Sequence, residues 1–187
     1  MGSDMLVSLY KLPPWEPEQK RMEALGVKIQ KAFPPDRYQV IDWVRRYSGP
    51  YAAGEAACSF KDKGTTMYLA VREGAIVGYA CYDATAPDFF GPTRVLDSEQ
   101  GKGIGKALLL ACLHAMREEG YGYAIIGDAG PTGFYEKCVG AVIIQGSTPG
   151  IYQDFLKLKD EGMSQKLVPL SQRKGTAVHR HHERYQL

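Results

Sequence analysis

The sequence predicts a single α/β domain built on a mixed, mostly antiparallel sheet with helices on both faces. Three observations predict it. Residues 66–96 read as three alternating strands joined by tight turns, an antiparallel meander. A glycine-rich loop, Gln100-Gly101-Lys102-Gly103-Ile104-Gly105-Lys106, then opens a strongly apolar helix that begins Ala107-Leu108-Leu109-Leu110. Residues 121–127 form a further strand after that helix, and a helical crossover makes it parallel to the strand before the loop.

The elements follow in chain order. Residues 6–12 predict a short first strand, which Pro13-Pro14 stops. Over 16–32, apolar residues recur at Met22, Leu25, Ile29 and Ala32, the spacing of a helix. Phe33-Pro34-Pro35-Asp36 breaks it, and Asp36 stands where the next helix expects a cap. That second helix runs through Val40, Ile41, Val44 and Tyr47 to Gly49-Pro50, and both helices need a sheet to cover their apolar stripes. Residues 51–65 read as an irregular connector. Strands are expected at 66–72 and 75–82 around Glu73-Gly74, and at 89–96 after a turn holding Pro87.

Gly91-Pro92 conflicts with the last of these strands. Proline donates nothing to a ladder, so an edge, a bulge or a parting of neighbours is expected there. The helix after the loop ends near Glu119, with Gly120 as its stop. Its apolar residues spread beyond one face, which calls for cover on more than one side. His114, at the edge of that face, reads as a half-buried, hydrogen-bonded histidine. Pro131 suits the start of a short helix over 134–137. Residues 142–144 and 151–158 are expected to close the sheet as a hairpin.

The loop is an anion site by construction. The first amides of a helix lack intrahelical partners and sit at the positive end of its dipole. Glycine at 101, 103 and 105 removes Cβ atoms that would hold a phosphate away from the backbone, and Lys102 and Lys106 add charge. A P-loop would need its first glycine five places before Gly105 and a hydroxyl at Ala107, and neither is present. A dinucleotide fingerprint would need glycine at Lys106 or at Leu108. The remaining pattern, Q/R-x-x-G-x-G/A, is met by Gln100, Gly103 and Gly105.

With that loop the chain resembles the GNAT acetyltransferase superfamily. A second motif supports the resemblance about thirty residues downstream, where Asp128, Pro131, Phe134-Tyr135-Glu136-Lys137 and Gly140-Ala141 stand in the places of a superfamily pattern. The likeness covers residues 5–158. It implies a GNAT-like sheet whose central strand pair splays apart, which is where the Gly91-Pro92 defect falls. It implies acetyl-CoA (coenzyme A) as cofactor, with the pyrophosphate on the backbone of Gly101, Lys102, Gly103, Ile104, Gly105 and Lys106 beside Gln100. Val95 and Leu96 would offer backbone groups to the pantetheine arm in the manner of an added strand. Asp128 and Phe134 occupy cofactor-binding positions, although an aspartate accepts only where the pattern's asparagine also donates.

The implied reaction is direct attack of a neutral primary amine, of a small molecule or a peptide, on the acetyl thioester. Tyr135 holds the position of the acid that protonates the leaving thiolate, and it also belongs to the cofactor set. The alternative is an acyl-CoA-binding regulatory module of the same fold without turnover. Asp83, Asp88 and Glu55 read as ordinary surface carboxylates. Tyr38, Trp43, Tyr47 and Tyr51 stand where an acceptor pocket or a core would use them.

Composition narrows the class. The chain has 187 residues, 44% apolar and 24% charged, with a net charge of +2, which argues neither for nor against a polyanionic partner; no nucleic-acid partner is expected. No apolar run approaches the roughly 20 residues that span a bilayer. The first residues lack the features of a signal peptide, and Met1–Asp4 are compatible with a vector scar. Cys58, Cys81, Cys112 and Cys138 form no C-x-x-C pair and read as reduced thiols of a cytoplasmic monomer or homodimer, with no metal site. Residues 159–187 are expected to be a solvated tail, with six Lys/Arg against three Asp/Glu and histidines at 179, 181 and 182.

Overall fold

The computed structural model describes residues 2–62, 64–154 and 156. The chain divides into a unit of Met1–Asp154 and a second of Phe155–Leu187. Apart from Leu156 the second unit lies outside the described residues, and with it the expected tail and its histidines.

A seven-stranded sheet organises the first unit, in the order β2-β5-β6-β7-β8-β1-β9. The strands are β1 (Met5–Ser8), β2 (Val27–Lys31), β5 (Met67–Arg72), β6 (Ala75–Tyr82), β7 (Phe89–Val95), β8 (Tyr123–Ile126) and β9 (Val142–Ile143), while β3 (Phe60–Lys61) and β4 (Gly64–Thr65) form a separate pair. Only β7 and β8 run parallel; every other neighbouring pair is antiparallel. The helices are α1 (Glu16–Ala24), α2 (Arg37–Ser48), α3 (Pro50–Ala57), α4 (Ile104–Glu118) and α5 (Thr132–Val139). The sheet therefore has the expected class and central order.

Strand alternation feeds two cores, one on each face. Ala70, Ala80 and Tyr82 pack with α4 and α1 residues such as Leu108, Leu109 and Met22. Met67, Leu69, Tyr79 and Cys81 pack on the other side with Val40 and Val44 of α2 and Ala53 and Ala56 of α3. This period of two is what puts successive side chains on opposite faces. Ten of the fifteen residues of α4 are buried, the all-round cover its composition called for. His114 Nε2 donates to Pro13 O at 2.8 Å and is half-buried, as read.

Five expectations are corrected, four of them local. The first strand ends at Ser8, and Leu9–Lys11 turn as a 3-10 helix. The helix expected over 16–32 stops at Ala24, because Gly26 takes φ +67 and Val27–Lys31 pair with β5. Met22 and Ala32 lie in opposite cores, which one helix face does not allow. The connector 51–65 contains α3, with Pro50 in its first turn and small residues facing the core, and the β3–β4 pair. Asp36 precedes α2 without a side-chain capping bond.

The largest correction concerns the end of the sheet. Residues 142–143 pair with β1, through Met5↔Ile143 and Leu6↔Val142, and Gly150–Tyr152 form a 3-10 turn. The N-terminal strand thus fills the place between β8 and β9. Met5 and Val7 are fully buried there, and Ile144 N donates to Asp4 O at 2.9 Å.

Candidate active site

The centre of the sheet opens where Gly91 and Pro92 interrupt β7. On the β6 side, Ala80 faces Thr93 and Tyr82 faces Phe90, so these two residues stand opposite Cys81 alone as a bulge. On the other side β8 pairs only with Phe89 and Phe90. From Gly91 to Val95 the strand has parted from β8, so two of the expected forms of the defect, the bulge and the parting, are present. Leu96 N donates to Val77 O at 2.9 Å. By the alternation of an antiparallel ladder, Val95 then turns its backbone groups away from β6, toward the gap.

A cavity of about 640 Å³ occupies the gap, floored by β7, the loop and the start of α4, and walled by α5 and α1. Val95, Gln100, Gly101, Gly103, Ile104, Gly105 and Lys106 line it from the strand and loop. Phe134 and Tyr135 line it from α5. The loop is shaped for close approach: Gly101 takes φ +76, and Gly103 takes φ +88 as the residue capping α4. Those left-handed values favour glycine over any residue with a Cβ. Gly105 differs, because a Cβ there would meet Phe134 and Val95 only at 3.7 and 3.8 Å, ordinary contact. Gln100 folds back to clip the loop, donating to Val95 O at 3.4 Å and to Asp97 Oδ1 at 3.1 Å.

Three of the residues singled out from sequence do not line the cavity. Leu96 uses its amide in the sheet, as above. Lys102 donates to Ser98 O and to Glu99 Oε2, both at 3.1 Å. Asp128 sits at φ +45 after β8, its carboxylate accepting from Gly2 N and its amide donating to Asp4 Oδ1 at 2.9 Å. The side chain is thus engaged by the N-terminal segment. Asp83 accepts from Tyr121 at 2.8 Å, Glu55 from Thr85 at 2.7 Å, and neither carboxylate lines the cavity.

Sequence reasoning missed other walls. Arg21 reaches the loop from α1, and Phe90, Thr93, Arg94, Leu109 and Cys138 complete the lining with Glu99 and Pro131. An Arg three places after Glu18 was the available signal, but the helix carrying it was placed without reference to the loop. Lys106 donates to Glu18 Oε1 at 2.6 Å, and Arg21 lies 3.8 Å from the other oxygen of Glu18.

Two ionisable groups of α5 face this space. Burial, with a smaller contribution from Cys138, raises the Tyr135 pKa to about 12. The ring is held by edge contacts with Phe134 at 5.1 Å and Phe90 at 6.3 Å between centroids. Burial also pushes the Cys138 thiol up, against the opposing pull of Lys106. Both groups therefore carry their protons at neutral pH. The four cysteines are free.

A sheet that splays beside a glycine-rich helix start is the architecture of an acyl-group transferase. Residues 28–141, well over half of the chain, match the acetyltransferase (GNAT) family, and the protein belongs to that family. No curated protein matches the sequence. Among solved structures, the glucosamine N-acetyltransferase region of a fungal multi-domain β-N-acetylglucosaminidase is similar, with a TM-score of 0.62 and 11% identity over 76% of this chain and 19% of that one. A Drosophila protein is similar with a TM-score of 0.50 and 14% identity over 76% of this chain and 47% of that one. The chain thus spans under half of either, and the likeness is one of fold. No helix among the described residues is long and apolar enough to cross a membrane.

Proposed function

We propose that the protein is an acetyl-CoA-dependent N-acetyltransferase that modifies a primary amine of a small molecule or peptide. The observation that carries the reading is that Tyr135, a proton-bearing hydroxyl at neutral pH, lines the same cavity as the Gly101–Lys106 loop and the freed edge of β7. The residues fit coenzyme A: left-handed glycines at 101 and 103 leave the helix start open, and the parted strand offers backbone to an extended arm. The backbone amides of Gly103, Ile104, Gly105 and Lys106 would hold the pyrophosphate, and the backbone of Val95 the pantetheine. Lys102, Leu96 and Asp128 serve the site from behind, by holding the loop, the strand and the N-terminal segment in place.

When bound, acetyl-CoA supplies an activated acetyl thioester. The chain's own work is then positioning and one proton. Val95 and the loop orient the arm along the edge of β7, and Phe134 and Leu109 exclude water from its side. Tyr135 holds a proton at its hydroxyl for the departing thiolate, with general-acid assistance worth roughly 10²–10⁴ in rate. The amine must arrive neutral, because a protonated nitrogen has no lone pair to attack with.

Incubation of the protein with acetyl-CoA and a panel of amines and peptide N-termini tests this, reading free thiol and acetylated product. Release of thiol that depends on a particular amine supports the reading. Coenzyme A binding without transfer to any amine favours a regulatory module, and absence of both overturns the cofactor assignment.

A further inference from the structure

The segment before residue 28 lies outside the family match, yet it places a cation on the loop. Arg21 of α1 lines the cavity, and its guanidinium Cζ and Nη1 lie 3.1 Å from the point where a Cβ on Gly103 would stand. Gly103 caps α4, so the guanidinium rests against the backbone from which the helix's unpaired amides project. Ion pairing within α1 does not account for this position. Glu18 is 3.8 Å away, beyond hydrogen-bond reach, and the Arg21 side chain is 54% exposed, where such a pair contributes little.

The other cations of the loop are committed. Lys106 is bonded to Glu18 at 2.6 Å, and Lys102 to Glu99 at 3.1 Å. Arg94, on β7, pairs with Asp97 at 3.1 Å through one terminal nitrogen, and its Nε is buried without a hydrogen-bond partner among the described residues. Arg21 lines the cavity, and its nearest acidic partner is Glu18 at 3.8 Å; a planar guanidinium offers a fork that matches two phosphate oxygens. Glu18 is buried and tied to α4 through Lys106, and its second oxygen has no hydrogen-bond donor among the described residues.

We propose that Arg21 is a phosphate-binding residue of this protein, contacting the pyrophosphate of the acyl-CoA from α1. The inference rests on the cofactor reading above and adds to it a contact that the family's own loop does not supply. The pyrophosphate is specified, rather than the ribose 3′-phosphate, because the guanidinium lies at the helix start itself.

Calorimetric titration with coenzyme A, 3′-dephospho-coenzyme A and pantetheine, of the wild type and of Arg21→Ala and Arg21→Lys, tests it. Arg21→Ala is expected to weaken both nucleotides by the same factor, about tenfold to a hundredfold, the range of a hydrogen bond to a charged group. Pantetheine binding should not change, and Arg21→Lys should recover part of the loss, as charge without the fork. The ligand-free melting temperature should stay the same in all three proteins. Equal nucleotide binding by Arg21→Ala overturns the proposal while leaving the cofactor reading intact. A loss confined to coenzyme A moves the contact to the 3′-phosphate and overturns the pyrophosphate assignment. A loss that extends to pantetheine overturns it as general damage to the cleft. A wild type that binds none of the three overturns the cofactor reading, and this inference with it.

Discussion

Lys106, one residue past the last glycine of the loop, donates to Glu18 Oε1 at 2.6 Å and so ties α4 to the N-terminal helix. The Glu18 side chain is only 11% exposed, and its second oxygen is buried without a hydrogen-bond donor among the described residues. Lys106→Ala would strand this carboxylate. A destabilisation of about 2 kcal/mol is expected, below the value for a fully buried pair because Lys106 is partly exposed. Adding Glu18→Gln should recover part of it. Urea unfolding of the single and double variants measures both numbers, and an unchanged midpoint for Lys106→Ala would contradict the pairing.

Coenzyme A should stabilise the native state. At a hundredfold excess over Kd the gain is about 2.7 kcal/mol, or roughly 5–10 °C in Tm for a domain of this size. ATP and NAD should do far less, because the loop spacing matches neither of their motifs; an equal shift with NAD would argue against the assignment. Gly103→Asp should abolish the shift, since its carboxylate would meet the Arg21 guanidinium and occupy the anion's place.

The strain of a side chain at Gly103 is separable from this. At φ +88, Gly103→Ala should cost about 1–2 kcal/mol from backbone conformation. Gly105→Ala, at the second residue of α4, should change stability by less than about 1 kcal/mol in either direction, since the new methyl finds only ordinary contacts. Comparable losses at the two positions in thermal unfolding would contradict the loop geometry.

Tyr135→Phe keeps the ring between Phe90 and Phe134 and removes the proton. Turnover is expected to fall tenfold or more, kcat and kcat/KM together, with coenzyme A affinity preserved. If affinity falls instead, the tyrosine is a cofactor contact and another group supplies the proton.

The pH dependence follows from the raised pKa of about 12. The acid form persists across the neutral range, so no falling limb of activity from Tyr135 should appear below about pH 10. The stabilisation linked to the same shift is complete below the ordinary tyrosine value near 10 and is lost as pH rises through about 12. A loss of activity centred near pH 8 that disappears in Tyr135→Phe would refute it.

The N-terminal strand should be indispensable. Met5 is fully buried between β8 and β9, and Met5→Ala should cost about 2–4 kcal/mol. Val142→Ala, on the exposed edge strand, should cost under about 1 kcal/mol in the same urea experiment. Equal losses would place β1 outside the core.

Residues 66–126 were legible because their signals are local. The Glu73-Gly74 turn, with φ +50 and +78, closes a hairpin that alternation already marks. Gly120 ends α4 at φ +101 where the apolar period ends. The site was legible in its backbone half, since glycine spacing reports directly on what may approach. Of its side-chain half, Phe134 and Tyr135 were legible through their motif, while Arg21 and Cys138 were not, because neither belongs to a pattern local to the loop. Residues 16–32 misled because Ile29 and Ala32 continue a helical spacing by coincidence, and Gly26 alone marked the break.

The sequence by itself determined the meander, the glycine-capped helix, the parallel strand after it and the defect at Gly91-Pro92, because each depends on neighbours within a few residues. Only the tertiary structure decided which segment lies between β8 and β9, and which helix faces the loop. Two short apolar segments, 5–8 and 151–158, carry the same local signal, and a strand's choice of edge depends on burial and ladder bonds made across more than a hundred residues. Met5 and Val7 fill the core there, and the chain leaving them brings α1, with Glu18 and Arg21, down onto the glycine-rich loop.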